Sequence, residues 1–430
     1  QQYSVYDDPE LQAYINEIGQ KLATKSHRPG LPFTFTLLDS PQVNAFALPG
    51  GYVYITRGIM AYMTEEAHLA GVIGHEIGHV TAAHGAQRAA QQQLAGVASI
   101  GTAILTGSQE AMQLSQMLGG ALMSGYGRKQ ELESDRLGAE YIAKNNYDVE
   151  DMIGVIGILK DQELFAAERA RAEGRPVQAY HGVYSTHPRN DQRLQEVVKA
   201  AKRFKNPNAN SDDGGRFLGL TDGMAFGDSE AQGITRGNKF YHKSLDLFIE
   251  FPVGWTVQNS PTMLNAVAPD RSQAIRIQMD NVGEQMNAAQ YLNSKFQNLQ
   301  SAQYVDSAFG QAYAGVAAIQ DQRTGQRQQF LVSAVKRGGQ AYVVAGLGQK
   351  VLPNREFFDV AQNMRSLKSS EQKLAQGQSL KLITVQPGDT FASLARQSDI
   401  SEYAEETLRL VNGMYPEGEL KAGQKIKLVK

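Results

Sequence analysis

The chain has 430 residues, enough for two or three domains. It contains no cysteine, which excludes disulfide and thiolate chemistry, and 42 basic against 44 acidic side chains leave a formal charge of −2. That balance, with no cluster of Lys and Arg, gives no electrostatic footprint for nucleic acid.

The first residue is Gln1 rather than Met, which predicts a protein of the periplasm or exported cell envelope whose signal peptide has been removed. Pro9–Thr24 reads as a helix. Residues 43–57 alternate loosely, are rich in Val, Phe, Tyr and Ile, and carry a Pro-Gly-Gly turn, so they read as a hairpin or an edge strand. Thr64 is the candidate N-cap of the next helix, with Glu65 and Glu66 in a first turn where the helix dipole favours negative charge. Ala67, Leu69, Ala70, Val72, Ile73, Ile77 and Val80 make that helix strongly apolar and predict its burial.

Within it, His75-Glu76-Ile77-Gly78-His79 forms an HExxH motif. Two imidazoles four residues apart leave one helix face a turn apart, so both can bind a single zinc ion. Glu76 between them can act as general base on the attacking water. The alternative is a core helix whose histidines are satisfied by backbone groups. A third ligand six residues after His79, as in metzincins, is absent because that position is Gly85. His84 lies five residues on, well round a continuing helix, and should not reach the same metal.

Residues 88–127 are rich in Ala, Gly, Gln, Leu and Met and read as two small-residue helices, either a packed hairpin or a mobile lid. Their apolar centre, Leu94–Leu105, is too short to span a bilayer, so no transmembrane span is expected. The stretch 128–141 has helical spacing of Leu132, Leu137 and Ala139. Glu131 and Asp135 share a face of that helix. Glu131 is the candidate third zinc ligand, and Asp135 can accept the free ring N–H of a zinc histidine. The alternative is a charged, solvent-facing stretch with Glu–Arg pairs. Further on, Pro188 suits the first position of a helix Arg189–Phe204, with His187 preceding it.

The pair HEIGH and ELESDRLGAEY resembles the signatures of the gluzincin metallopeptidases that include HtpX, the CAAX prenyl endopeptidases and a soluble BepA-like periplasmic branch. The stretch from Asn44 to Thr56 and the element Thr186-His187-Pro188 with Arg193-Leu194 resemble two further pieces of that family, in the family's order. The resemblance implies one Zn2+ per chain, held by His75, His79 and Glu131. It implies a protein or peptide substrate bound as an extended strand, with Asn44 facing the cleft and polarising the scissile carbonyl. A turn-forming role beside Pro41 is the alternative for Asn44. It implies that His187 lies near the metal, either stabilising the oxyanion or occupying a fourth metal position that leaves the site latent.

Residues 206–215 read as a linker by composition. Beyond it, strands are expected at Leu245–Glu250, Trp255–Val257, Ala274–Met279, Ala314–Gln320, Gln328–Lys336 and Gln340–Leu347, and helices at Asn287–Leu299 and Asn354–Leu367. That order predicts an α+β domain with an antiparallel sheet. Lys381–Ala395, with its Pro-Gly-Asp-Thr turn and Asp389 or Thr390 as helix cap, then Leu408–Gly413 and Leu420–Leu428, resembles a LysM domain. That resemblance implies binding of N-acetylglucosamine polymers, hence peptidoglycan, through residues 380–430. Four acidic residues in the connection Gln397–Thr407 depart from a carbohydrate groove.

The expectation is an α+β multidomain chain: a mainly helical zincin-type metallopeptidase domain with a small sheet over 1–205, a linker and packing segment over 206–235, an α+β accessory domain over 236–370 and a βααβ LysM-like domain over 371–430. The expected activity is zinc-dependent endoproteolysis of unfolded or misassembled envelope proteins. A latent protease acting as a chaperone and a peptidoglycan hydrolase are the rival readings.

Overall fold

The computed structural model describes residues 3–88, 90, 126–174, 177, 197, 199, 203–204, 206, 208–211, 213–260, 263–296, 298–320, 327–348 and 354–430. The expected helices of 88–127, the helix 189–204 and His187 therefore lie largely or wholly outside the described residues. The chain forms two compact units, one of residues 5–226 and 378–430, the other of residues 1–4 and 227–377.

The first unit opens with α1 (Pro9–Ala23), where Asp8 accepts from the Leu11 N–H at 2.9 Å and Pro9 occupies the first turn. Leu11, Tyr14, Ile15, Ile18 and Leu22 recur at helical spacing and bury one face. β1 (Thr34–Leu38), β2 (Ala45–Leu48) and β3 (Tyr52–Thr56) form a sheet of order β1-β3-β2, with β1 parallel and β2 antiparallel to β3. The 43–57 stretch is thus both a hairpin and, through β2, a sheet edge. A short helix α2 (Arg57–Met60) leads to α3 (Glu66–Thr81), which is buried on every residue.

Thr64 does not cap α3. Glu65 is the capping residue, without a side-chain bond, and the Thr64 N–H points to His68 Nδ1 at 3.4 Å. Glu66 instead accepts from the hydroxyls of Tyr14, at 2.7 Å, and Tyr147, tying α3 to its neighbours. The unit continues with α4 (Arg128–Lys144), α5 (Asp151–Ala172), α6 (Arg216–Thr221) and β4 (Ala225–Phe226). Close to the turn before α3, the buried Arg57 and Asp39 form an ion pair at 2.7 Å.

In the second unit, β5 (Ile234–Arg236), β6 (Lys239–His242) and β7 (Leu247–Glu250) form a small antiparallel sheet. β8 (Thr256–Ser260), β9 (Met263–Val267), β10 (Gln273–Asn281), β11 (Gln300–Val305), β12 (Gln311–Gln320), β13 (Arg327–Arg337) and β14 (Gln340–Gly348) form a seven-stranded antiparallel sheet of order β11-β12-β13-β14-β10-β9-β8. Alternate residues of β13 enter two cores: Phe330, Val332 and Ala334 meet α7 (Ala288–Lys295), while Leu331 and Val335 join the core of α8 (Asn354–Asn363). Six strands (β1, β4, β5, β6, β9 and β11) fall outside the expected set. The expected strand at Leu245 starts at Leu247, because Asp246 turns the chain at φ +46°. The expected helix to Leu299 stops at Lys295, where Phe296 becomes extended.

The chain then returns to the first unit. β15 (Gln378–Thr384), α9 (Phe391–Ala395), α10 (Ala404–Val411) and β16 (Lys425–Val429) make the βααβ order, with Thr390 capping α9 through the Ser393 N–H at 3.1 Å. β15 pairs with both β16 and β4. Leu380, Phe391, Leu408, Val411 and Leu428 share one apolar core with α1, α3 and the β1-β3-β2 sheet. Lys427 is 1% exposed and donates to the carbonyls of Ala61 and Met63, both at 2.6 Å, in the connection between α2 and α3. Phe165 on α5 packs edge-on against Tyr403 and Tyr415, and Glu168 accepts from the Tyr415 hydroxyl.

Candidate metal centre

α3 and α4 bring the predicted ligands together because both helices are stripped of side chains where they meet. A Cβ on Gly138 of α4 would lie 2.9 Å from the His75 nitrogen and 3.0 Å from the Gly74 carbonyl carbon. A Cβ on Gly78 would lie 3.0 Å from the Ser134 backbone. This close approach aims Glu131, one helical turn from Asp135, at the two histidines.

The resulting cluster is His75, His79 and Glu131, exposed by 7%, 1% and 0%. His75 Nε2 lies 3.0 Å from His79 Nε2 and 3.6 Å from a Glu131 oxygen; His79 Nε2 lies 3.4 Å from the other. Ligand atoms about 2.1 Å from a common tetrahedral centre stand about 3.4 Å apart, so these separations fit a zinc-sized ion. Two imidazole nitrogens and one carboxylate oxygen are also the donor set of catalytic zinc, with one position left for water or substrate.

Each histidine is held from behind. Asp135 Oδ1 lies 2.8 Å from His75 Nδ1. His84 stays outside the ligand set, as expected, but the helix does not continue to it and it contacts His79 instead. α3 ends at Thr81, Ala83 takes φ +58°, and His84 swings back until its Nδ1 is 3.1 Å from His79 Nδ1.

Glu76 faces a cavity on the His75 side, whose apolar wall is built by Val72 of α3 and by Met152, Val155, Ile156 and Leu159 of α5. Ala45, the first residue of β2, lines the same cavity. Asn44 precedes it, is buried, and holds Thr56 through its backbone. Tyr126 stacks on His79 with ring centroids 3.8 Å apart, and burial raises its phenol above the usual range. His68, on the same helix, is a separate matter: burial, aided by Lys427, lowers it to about 4, so it is neutral.

Sequence reasoning missed the α5 wall, although Met152, Val155, Ile156 and Leu159 carry a helical i, i+3, i+4, i+7 period that could have revealed it. Tyr126 had no such signal, being a lone aromatic between Gly125 and Gly127. The only three-member metal-type cluster among the described residues is the one above. No helix among them is long and apolar enough to cross a membrane.

Residues 9–201 match the model of Peptidase family M48, and residues 383–429 that of the LysM domain. The beta-barrel assembly-enhancing protease of Yersinia pestis is 32% identical over 216 residues, covering 48% of this chain and 42% of that protein. Its namesake in Escherichia coli K12 is 29% identical over 208 residues, covering 46% and 40%. The mitochondrial metalloendopeptidase OMA1 of Arabidopsis thaliana is 28% identical over 144 residues, covering 34% and 29%. The chain thus spans about two-fifths of the length of the first two relatives.

Proposed function

We propose that this chain, which carries an M48 peptidase domain and a LysM domain, is a zinc-dependent endopeptidase of the cell envelope acting on unfolded or misassembled proteins. The observation that carries the proposal is the buried His75–His79–Glu131 cluster, whose ligand atoms lie within 4.8 Å of one another, with Glu76 beside them in a cavity. His75, His79 and Glu131 would hold the ion. Zinc, when bound, polarises a carbonyl and acidifies water. Glu76 takes the proton of the attacking water and delivers it to the leaving amine, serving first as base and then as acid. Asp135 fixes the ring of His75. The outer edge of β2 would pair with an extended substrate, whose backbone donors and acceptors complete the sheet. Asn44, at the head of that strand, and His187 are the proposed groups near the scissile carbonyl. His187 would alternatively fill the remaining metal position and act as a brake.

The names of the relatives support protein rather than glycan as substrate. The LysM domain supports attachment to peptidoglycan. Its acidic connection is partly engaged by the peptidase domain, with Glu402 3.7 Å from Arg169 and Tyr403 against Phe165. The test is incubation of the zinc-loaded chain with casein and, separately, with purified peptidoglycan, each with and without a chelator. Casein fragments that vanish with chelator, and no soluble muropeptides, are expected. Muropeptide release without casein cleavage would transfer the assignment to a peptidoglycan hydrolase.

A further inference from the structure

We propose that His84 is a positioning residue for His79, fixing its tautomer and ring orientation through a relay that ends on Glu133. The inference rests on the zinc reading of the His75–His79–Glu131 cluster.

The proton positions follow from the contacts. His79 Nε2 faces His75 Nε2 and Glu131, so it is the nitrogen that would meet the ion and must be unprotonated. The single ring proton of neutral His79 then sits on Nδ1. Facing it at 3.1 Å is Nδ1 of His84, which is 1% exposed. Only one proton fits between two facing nitrogens, so His84 Nδ1 accepts and carries no proton of its own. The His84 proton therefore sits on Nε2, where a Glu133 oxygen accepts it at 3.2 Å. One carboxylate at the half-exposed end thus sets the tautomer of two buried rings in series.

The backbone is shaped for this contact. On a continued helix, five residues would carry His84 well round the cylinder from His79. Instead Ala83 adopts φ +58°, a left-handed conformation costly for a residue with a Cβ, and helical turns resume only at His84. The Ser134 hydroxyl, 3.3 Å from His84 Nδ1, closes the pocket from α4. The arrangement repeats for His79 what Asp135 does for His75.

The test uses the full chain in its wild-type, H84L, H84N and Glu133→Ala forms. Zinc affinity is read by chelator competition, and the ligand field by the visible spectrum of the cobalt-substituted protein. Asn places an oxygen acceptor near the position of Nδ1, whereas Leu fills the space without one. H84L should weaken zinc binding roughly 10–100-fold and shift the cobalt bands, and H84N should restore most of the affinity. Equal affinity in wild type and H84L, or equal losses in H84L and H84N, would overturn the proposal. If H84L does not fold, Glu133→Ala decides, because that side chain is half exposed. A loss of roughly threefold or more supports the relay, and wild-type affinity overturns it. A wild type that binds no zinc would instead sink the zinc reading itself.

Discussion

Lys427 gives a stability prediction with a defined pH signature. Its ammonium lies on β16 with 1% exposure and bonds the carbonyls of Ala61 and Met63. Burial lowers its pKa from 10.5 to about 7. A neutral amine keeps two N–H donors, so both carbonyls stay satisfied after deprotonation. Below about pH 7 folded and unfolded chains both hold the proton; between about 7 and 10.5 only the unfolded chain does; above 10.5 neither does. Stability contributed by this group therefore rises with pH across that window, about tenfold in the folding equilibrium per unit, and amounts to of order 5 kcal/mol in all. Lys427→Met removes two buried hydrogen bonds at every pH, a loss of about 2–6 kcal/mol. At neutral pH the relief of ionisation strain offsets much of that loss, so the substitution should be nearly neutral near pH 7 and increasingly destabilising toward pH 10. Urea unfolding of both proteins from pH 6 to 10, followed by circular dichroism, measures the difference. The single tryptophan, Trp255, lies in the other compact unit, so its fluorescence supplies an internal control. A difference that does not change with pH would refute the buried position of Lys427 and, with it, the packing of β16 against the α2–α3 connection.

Further substitutions probe the metal centre and its frame. Gly138→Ala places a methyl against backbone atoms of α3 and should cost about 1–3 kcal/mol and weaken zinc binding. Gly157→Ala on α5, where nothing lies within 4 Å, should stabilise by about 0.5–1 kcal/mol, read from thermal melts of this variant and the wild type. Asp135→Ala should lower zinc affinity roughly 10–100-fold in chelator competition, through loss of the His75 contact. Asp39→Ala leaves the Arg57 guanidinium buried without its carboxylate and should destabilise by about 3–5 kcal/mol in urea.

The parts of this molecule readable in advance are those set by local spacing. His75 and His79 are paired by the helix repeat, Glu131 and Asp135 by the same repeat on α4, and Thr390 caps its helix as a side chain of its type should. What escaped depends on contacts between distant positions or on one backbone angle. The cap expected at Thr64 gave way to a His68 contact. His84 returned to the site because Ala83 turned left-handed, and alanine carries no sequence signal for that conformation. Lys427, in an alternating Lys-Ile-Lys-Leu run, would read as solvent-facing, yet it is covered by a connection 364 to 366 residues away. The acidic connection before α10, odd for a glycan groove, has a physical use in Glu402 and Tyr403 against α5.

The central claim is that Glu76 performs the proton transfers of peptide hydrolysis beside an ion held by His75, His79 and Glu131. Casein cleavage by wild type, Glu76→Gln and His187→Ala, with zinc content determined for each, tests it most directly. Cleavage by wild type or by His187→Ala, and none by Glu76→Gln with its zinc retained, is predicted; activity in His187→Ala alone would identify His187 as a brake. Cleavage by zinc-loaded Glu76→Gln at the wild-type rate, or a wild type that binds no zinc, would contradict the account.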